Sequence, residues 1–209
     1  SGTLSGTFPV AIVWHIPYKK SRMKKQFRAI CTCSRPVFVQ IDLPAVSYLI
    51  QQGHRKIAVL GGPATSHPSM MRRQGAQQAM EDAGIRFEDK LYGLSNYDFE
   101  SAYHAMNGLL ARRAEFTALF AMSDVIAFGA IRALVSAGLR VPEDVSVIGF
   151  DGITMSRYCV PVMTTIVQPS EQIALQSIEL LVRQIEHGTP AQTVTLQPEL
   201  QQGESVRAL

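Results

Sequence analysis

From about residue 37 onward, short β-rich apolar runs alternate with helical stretches, and this alternation constrains the fold more than any single motif. VFVQID (37–42), KIAVLGG (56–62), KLYGLS (90–95), TALFAM (117–122), VSVIGF (145–150) and TTIVQ (164–168) read as strands. VSYLIQQG (46–53), PSMMRRQGAQQAMEDA (68–83), FESAYHAMNGLLARR (99–113) and residues 124–137 read as helices, with Gly53, Gly84 and Gly138 as stop signals. A long helix over 170–187 would turn Ile173, Ile178, Leu181 and Ile185 toward a core, and TVTLQPEL (193–200) reads as a last strand. No internal repeat is present. The pattern predicts an α/β fold with parallel sheets.

Such sheets bind ligands outside the carboxyl ends of their strands. VSVIGF is nearly all apolar, as a strand covered on both faces should be, and it ends in a carboxylate, Asp151, followed by Gly152. Ser123 follows TALFAM and can N-cap the helix at 124–137, whose first residue, Asp124, suits the positive helix start. Val125, Phe128, Ile131, Leu134 and Val135 fall on one face of that helix. Asp151 and Ser123 thus stand where a polar ligand would be held.

Composition narrows the function classes. The 209 residues are 46% hydrophobic and 18% charged, which is ordinary for a globular protein of one large or two small domains. No run approaches the ~20 apolar residues that span a bilayer, and no signal peptide is read at the start, because the Lys residues follow the apolar patch. The net charge of +3 rests on KKSRMKKQFR (19–28), which holds six basic residues; without them the chain would be acidic. That is a solvated segment rather than a nucleic-acid face. Cys31, Cys33 and Cys159 make neither a disulfide framework nor a metal site, and suit reduced thiols in a cytoplasm.

Catalytic motifs are missing. There is no GxSxG, no GxxxxGK[ST], and GGPATSH lacks the third glycine of a dinucleotide fingerprint. His54 can serve as a base or as a structural or capping residue, and its place at the opposite sheet edge from Asp151 favours the latter. The sequence asks for no catalytic residue, cofactor or metal.

GHRKIAVLGG (53–62), RRQG (72–75), SDVIAFGAIRALVSAGLRVPEDVSVIGFDG (123–152) and TTIVQPSEQIA (164–174) closely resemble the effector-binding core of LacI/GalR-type bacterial transcription regulators, over roughly residues 45–209. The resemblance implies a periplasmic-binding-protein-like fold of two Rossmann-like subdomains: 1–55 with 168–192, and 56–167 with 193–209. It implies a sugar or nucleoside-like effector in the cleft and no catalysis. It also implies a cytoplasmic homodimer that reaches operator DNA only through a helix-turn-helix domain, expected to be absent from these residues.

Site residues carry over one at a time. Arg72 matches an arginine suited to bidentate bonding with hydroxyls or a carboxylate, or it is a solvated helix residue; Arg73 beside it offers a second choice. Asp151 matches an acidic residue that accepts from sugar hydroxyls, or it makes an Asx-turn into Gly152. Ser123 is a cap first and a ligand neighbour second. Tyr97 matches an aromatic position that stacks on a ligand face, or it is a surface loop residue. Ser170 matches a position at the return crossover. Phe128, Ile131 and Tyr158 fall in the family's dimer regions, with core packing the alternative for the first two.

The N-terminal part departs from the family. The 52 residues before Gly53 are far fewer than the family has there. FPVAIVWHI (8–16) and SRPVFVQID (34–42) suit strands, but KKSRMKKQFRAICTC between them lacks strand–helix periodicity. A deletion, a frameshift or gaps closed by numbering would each produce this. Three readings compete with the regulator core: a periplasmic-type sugar-binding protein of a transporter, a small α/β enzyme, and a fragment without function of its own.

Overall fold

The computed structural model describes residues 38–41, 44–187 and 193–209. The first strand expected at 8–16, the basic run at 19–28, and Cys31 and Cys33 lie outside the described residues. Along the chain the elements are β1 (Phe38–Ile41), α1 (Ala45–Gln51), β2 (Ile57–Gly61), α2 (His67–Asp82), β3 (Tyr92–Leu94), α3 (Phe99–Ala111), β4 (Ala118–Ala121), α4 (Asp124–Ser136), β5 (Ser146–Asp151), β6 (Thr164–Val167), α5 (Ser170–His187), β7 (Thr193–Leu196) and β8 (Glu199–Gln201). The fold is α/β, as the alternation predicts.

The larger compact unit takes in 44–168 and 198–209. Its six-stranded sheet has the order β3-β2-β4-β5-β6-β8, parallel throughout except for β8, which runs antiparallel to β6. The central strands are buried throughout except at Asp151, the last residue of β5, and such burial requires cover on both faces. From β2 the chain crosses outward through α2 to β3, then returns past β2 through α3 to β4. Right-handed crossovers in opposite directions place α2 and α3 on opposite faces. α1 packs on α2, and α4 packs on α3. The order therefore reverses between β2 and β4, and the crevice outside their carboxyl ends is the expected ligand position.

Helix α4 packs differently from the expectation of a large-residue core face. Its buried residues are Asp124, Ile126, Ala127, Gly129, Ala130, Ala133 and Leu134, while Val125, Phe128 and Ile131 are half-buried and Val135 is exposed. The small residues let α3 come close: a Cβ on Gly129 would stand 2.4 Å from the Phe99 carbonyl oxygen.

The smaller unit holds β1, α5 and β7, with β1 and β7 paired in parallel. Ile173 and Leu180 are the buried residues of α5. The expectation that Ile178, Leu181 and Ile185 face a core is corrected: they are 62%, 37% and 51% exposed. Among the described residues of this unit only β1 and β7 accompany α5, and two short strands do not cover the whole stripe. The expected single strand over 193–200 also divides. Pro198, which has no N–H for a ladder, separates β7 from β8, and the two strands belong to different units. The compact units also part at other residues than the expected subdomains, since α1 packs with α2 and β7 pairs with β1.

Candidate functional site

Glycine makes room at the switch point. A Cβ on Gly62, just past β2, would meet the Tyr97 ring at 2.1 Å, so the bare backbone seats that ring. Tyr97 follows β3 with φ 61°, and Asp151 ends β5 with φ 122°. Left-handed backbone is costly for side-chain-bearing residues and gathers at functional sites. Two of the three such non-glycine residues among the described residues stand here.

Arg72 rises from α2 and is almost wholly buried. One of its terminal nitrogens donates to the Met122 carbonyl oxygen at the end of β4. The other donates to Asp151 Oδ1 at 3.5 Å. Its guanidinium lies 3.9 Å from the centre of the Phe150 ring, a cation–π contact that desolvation strengthens. The Arg72 Nε and the Tyr97 hydroxyl are buried without a hydrogen-bond partner. Burial lowers the Arg72 pKa, and the Asp151 carboxylate works against that shift. Arg73 lies elsewhere, paired at 3.1 Å with Asp89 and set over the Tyr92 ring. The sequence left the choice between the two arginines open.

The Asp151 side chain is 28% exposed. Burial raises its pKa from 3.8 to about 6, with Arg72 pulling it down and the nearby Asp124 carboxylate pushing it up. Gln168 donates its side-chain amide to Asp151 Oδ1 at 2.6 Å and its backbone N–H to the Asp151 carbonyl at 3.1 Å. In the sequence Gln168 stands only as the end of the TTIVQ strand.

Ser123 caps α4, accepting from the Ile126 N–H at 3.2 Å. Asp124 does more than favour the helix start. Fully buried, it accepts from the Thr165 hydroxyl at 2.5 Å and from the Ile153 N–H at 2.8 Å. Gly149 makes space for it, since a Cβ there would stand 2.2 Å from Asp124 Oδ1.

Arg72 and Asp151 are thus joined directly, and Tyr97 and Ser123 occupy neighbouring strand ends. Ser170 opens α5 in the smaller unit and is exposed. Tyr158 is 77% exposed, while Phe128 and Ile131 are half-buried. His54 follows the structural alternative. It is buried, with Nδ1 2.9 Å from the Thr117 hydroxyl and Nε2 3.1 Å from the Arg207 carbonyl oxygen. Both ring nitrogens are engaged, Nδ1 at the start of β4 and Nε2 on the C-terminal segment.

The site has buried donors, a carboxylate and an aromatic ring at a topological switch point, which suits binding of a polar small molecule. Among the described residues no group of three or more His, Cys, Asp or Glu side chains is placed to hold a metal. None of the described helices is long and apolar enough to cross a membrane.

Residues 46–206 match a family described as periplasmic binding protein-like domain. The chain is 37% identical over 166 residues to the HTH-type transcriptional repressor PurR of Histophilus somni (strain 129Pt), covering 79% of this chain and 50% of that protein. It is 38% identical over 160 residues to the PurR of Proteus mirabilis (strain HI4320), covering 76% and 47%. The chain spans about half the length of these relatives. Among solved structures it is similar to a transcriptional regulator CelR–cellobiose complex, with a TM-score of 0.76 and 35% identity over 81% of this chain and 54% of that one. It is also similar to the Escherichia coli transcriptional repressor ascG, with a TM-score of 0.75 and 30% identity over 88% and 73%.

Proposed function

The chain belongs to the periplasmic binding protein-like domain family, in its LacI/GalR-type regulator branch, and on that footing we propose that the Arg72–Asp151 site binds a small effector that controls operator binding. The observation that carries the site is the buried Arg72 guanidinium joined to Asp151 at 3.5 Å and stacked on Phe150. Arginine offers donors, and the carboxylate accepts from hydroxyl or N–H groups. Tyr97 offers an aromatic face to a sugar or a nucleoside base. PurR, by its name a repressor of the HTH type, and the CelR structure, which holds cellobiose, support this reading. Ser123 is a secondary member of the proposed site. The transporter alternative is not favoured, because these relatives are transcriptional regulators. The reading asks no catalysis of the chain.

The protein acts as a cytoplasmic homodimer, with Phe128, Ile131 and Tyr158 in the contact. Support comes from the exposed Tyr158 and the outer apolar stripe of α4. Operator DNA is gripped by a helix-turn-helix domain that the matched region does not include. Effector shifts the dimer between two states by binding one better than the other.

A thermal melt of the 209-residue chain against sugars, sugar phosphates, nucleosides and purine bases tests this reading. A ligand at 100 times its Kd adds about 2.7 kcal/mol, worth roughly 5–10 °C in a chain of this size. A shift confined to one class of compound supports the reading. A cooperative melt that no compound shifts counts against it.

A further inference from the structure

Gln168 has no part in the site as the sequence presents it, yet it makes the shortest hydrogen bond to Asp151. Its side-chain amide donates to Oδ1 at 2.6 Å, against 3.5 Å for the Arg72 donor on the same oxygen. Its backbone N–H donates to the Asp151 carbonyl oxygen at 3.1 Å. The two bonds form a clamp on one residue, from both its main chain and its side chain. That residue carries a φ of 122°, which its own backbone preference does not favour. Both side-chain donors fall on Oδ1, which leaves Oδ2 as the acceptor for a ligand.

We propose that Gln168 is the positioning residue of the site: it holds Asp151 in its left-handed backbone geometry and turns Oδ2 toward the effector, so that the effector must present a hydroxyl or N–H donor there. The proposal rests on the effector reading of Asp151. Gln168 is also the last residue of the larger unit, and Pro169 begins the next. Pro169 has no N–H to offer Asp151 in place of the Gln168 donors. The clamp therefore depends on Gln168 alone at this strand end.

The position of the carboxylate can be followed without an effector, using the proton as probe. The charged groups acting on Asp151 are Arg72 from α2 and Asp124 from α4; Gln168 adds a hydrogen bond to the ionised form. Asp151 is titrated through its carboxyl ¹³C resonance in the wild type, in Gln168→Met and in Gln168→Glu, each as the full chain. Losing a donor to the charged form raises proton affinity. Gln168→Met is expected to raise the Asp151 midpoint by about one unit, a tenfold change in proton affinity. Gln168→Glu is expected to raise it further, because a second carboxylate then faces Oδ1.

A residue that served folding alone would lower the denaturation midpoint and leave the titration in place. A Gln168→Met midpoint within about 0.2 units of wild type overturns the proposal. If Gln168→Met does not fold, Gln168→Asn, which keeps the amide but withdraws it by one methylene, is held to the same upward shift. Failure of the effector reading shows separately, as a wild-type melt that no compound in the panel moves.

Discussion

Asp124 and Thr165 face each other across the interior of the larger unit, the carboxylate accepting from the hydroxyl at 2.5 Å with no exposure to solvent. The bond ties the start of α4 to β6. The other Asp124 oxygen takes the Ile153 N–H at 2.8 Å, which anchors the turn after β5. One buried carboxylate therefore anchors both the turn that follows Asp151 and the strand beside it.

Asp124→Ala should be among the more damaging single substitutions. It leaves the buried Thr165 hydroxyl and the half-buried Ile153 N–H without partners, at ~1–3 kcal/mol for a buried group and less for the half-buried one. A loss of about 3 kcal/mol is expected in urea denaturation, and Asp124→Asn, which keeps one acceptor, should lose less. A change below about 0.5 kcal/mol would contradict this account of Asp124.

Gly129→Val should also be costly. The Phe99 carbonyl oxygen would be 2.4 Å from the new Cβ and the Ala102 Cβ 2.8 Å from it. Overpacking of this kind costs ~1–3 kcal/mol, and more where backbone must move. The denaturation midpoint of Gly129→Val against that of Gly108→Val checks the argument, since nothing lies within 4 Å of a Cβ on Gly108.

Asp151 gives the chain a pH-dependent stability with a definite sign. Its folded pKa of about 6 lies above the ordinary 3.8. Between those values the folded chain holds a proton that the unfolded chain has lost. Stability from this group is thus full below the lower value and falls as pH rises toward the upper one. Relative to Asp151→Asn, the wild type should lose up to ~3 kcal/mol as pH rises from about 4 to about 6. Denaturation midpoints of both proteins across that window measure the difference. A difference that stays flat with pH would refute the burial of this carboxyl.

Much of this architecture is legible in the sequence. The strand–helix alternation locates the parallel sheet, and the nearly all-apolar VSVIGF run, buried in the middle of the sheet, ends at the part-exposed Asp151. Arg72 and Asp151, 79 positions apart, do meet. The Ser123 cap was legible because capping is local. Gln168 and Phe150 were not legible as site residues, since their roles depend on which side chains the sheet order brings beside them. The α4 packing face was obscured for another reason. Periodicity picks out the large residues Val125, Phe128 and Ile131, whereas close helix approach selects Gly129, Ala130 and Ala133. The stripe on α5 is helical in period, but periodicity alone does not say what covers it.

The dimer proposal predicts that Tyr158→Glu, a substitution at a side chain 77% exposed in the isolated chain, lowers the association constant without lowering stability at concentrations where the chain is monomeric. Sedimentation equilibrium of both proteins decides the matter. Identical association behaviour would remove Tyr158 from the contact.

The most direct test of the central claim is isothermal titration calorimetry of whichever compound shifts the wild-type melt, with wild type and Asp151→Ala compared under the same buffer. Removing the carboxylate leaves Arg72 without its ion-pair partner and the ligand donor without its acceptor. Affinity should fall at least tenfold, or about 1.4 kcal/mol, while the variant still melts cooperatively. Unchanged affinity in a folded Asp151→Ala protein would contradict the assignment of the site.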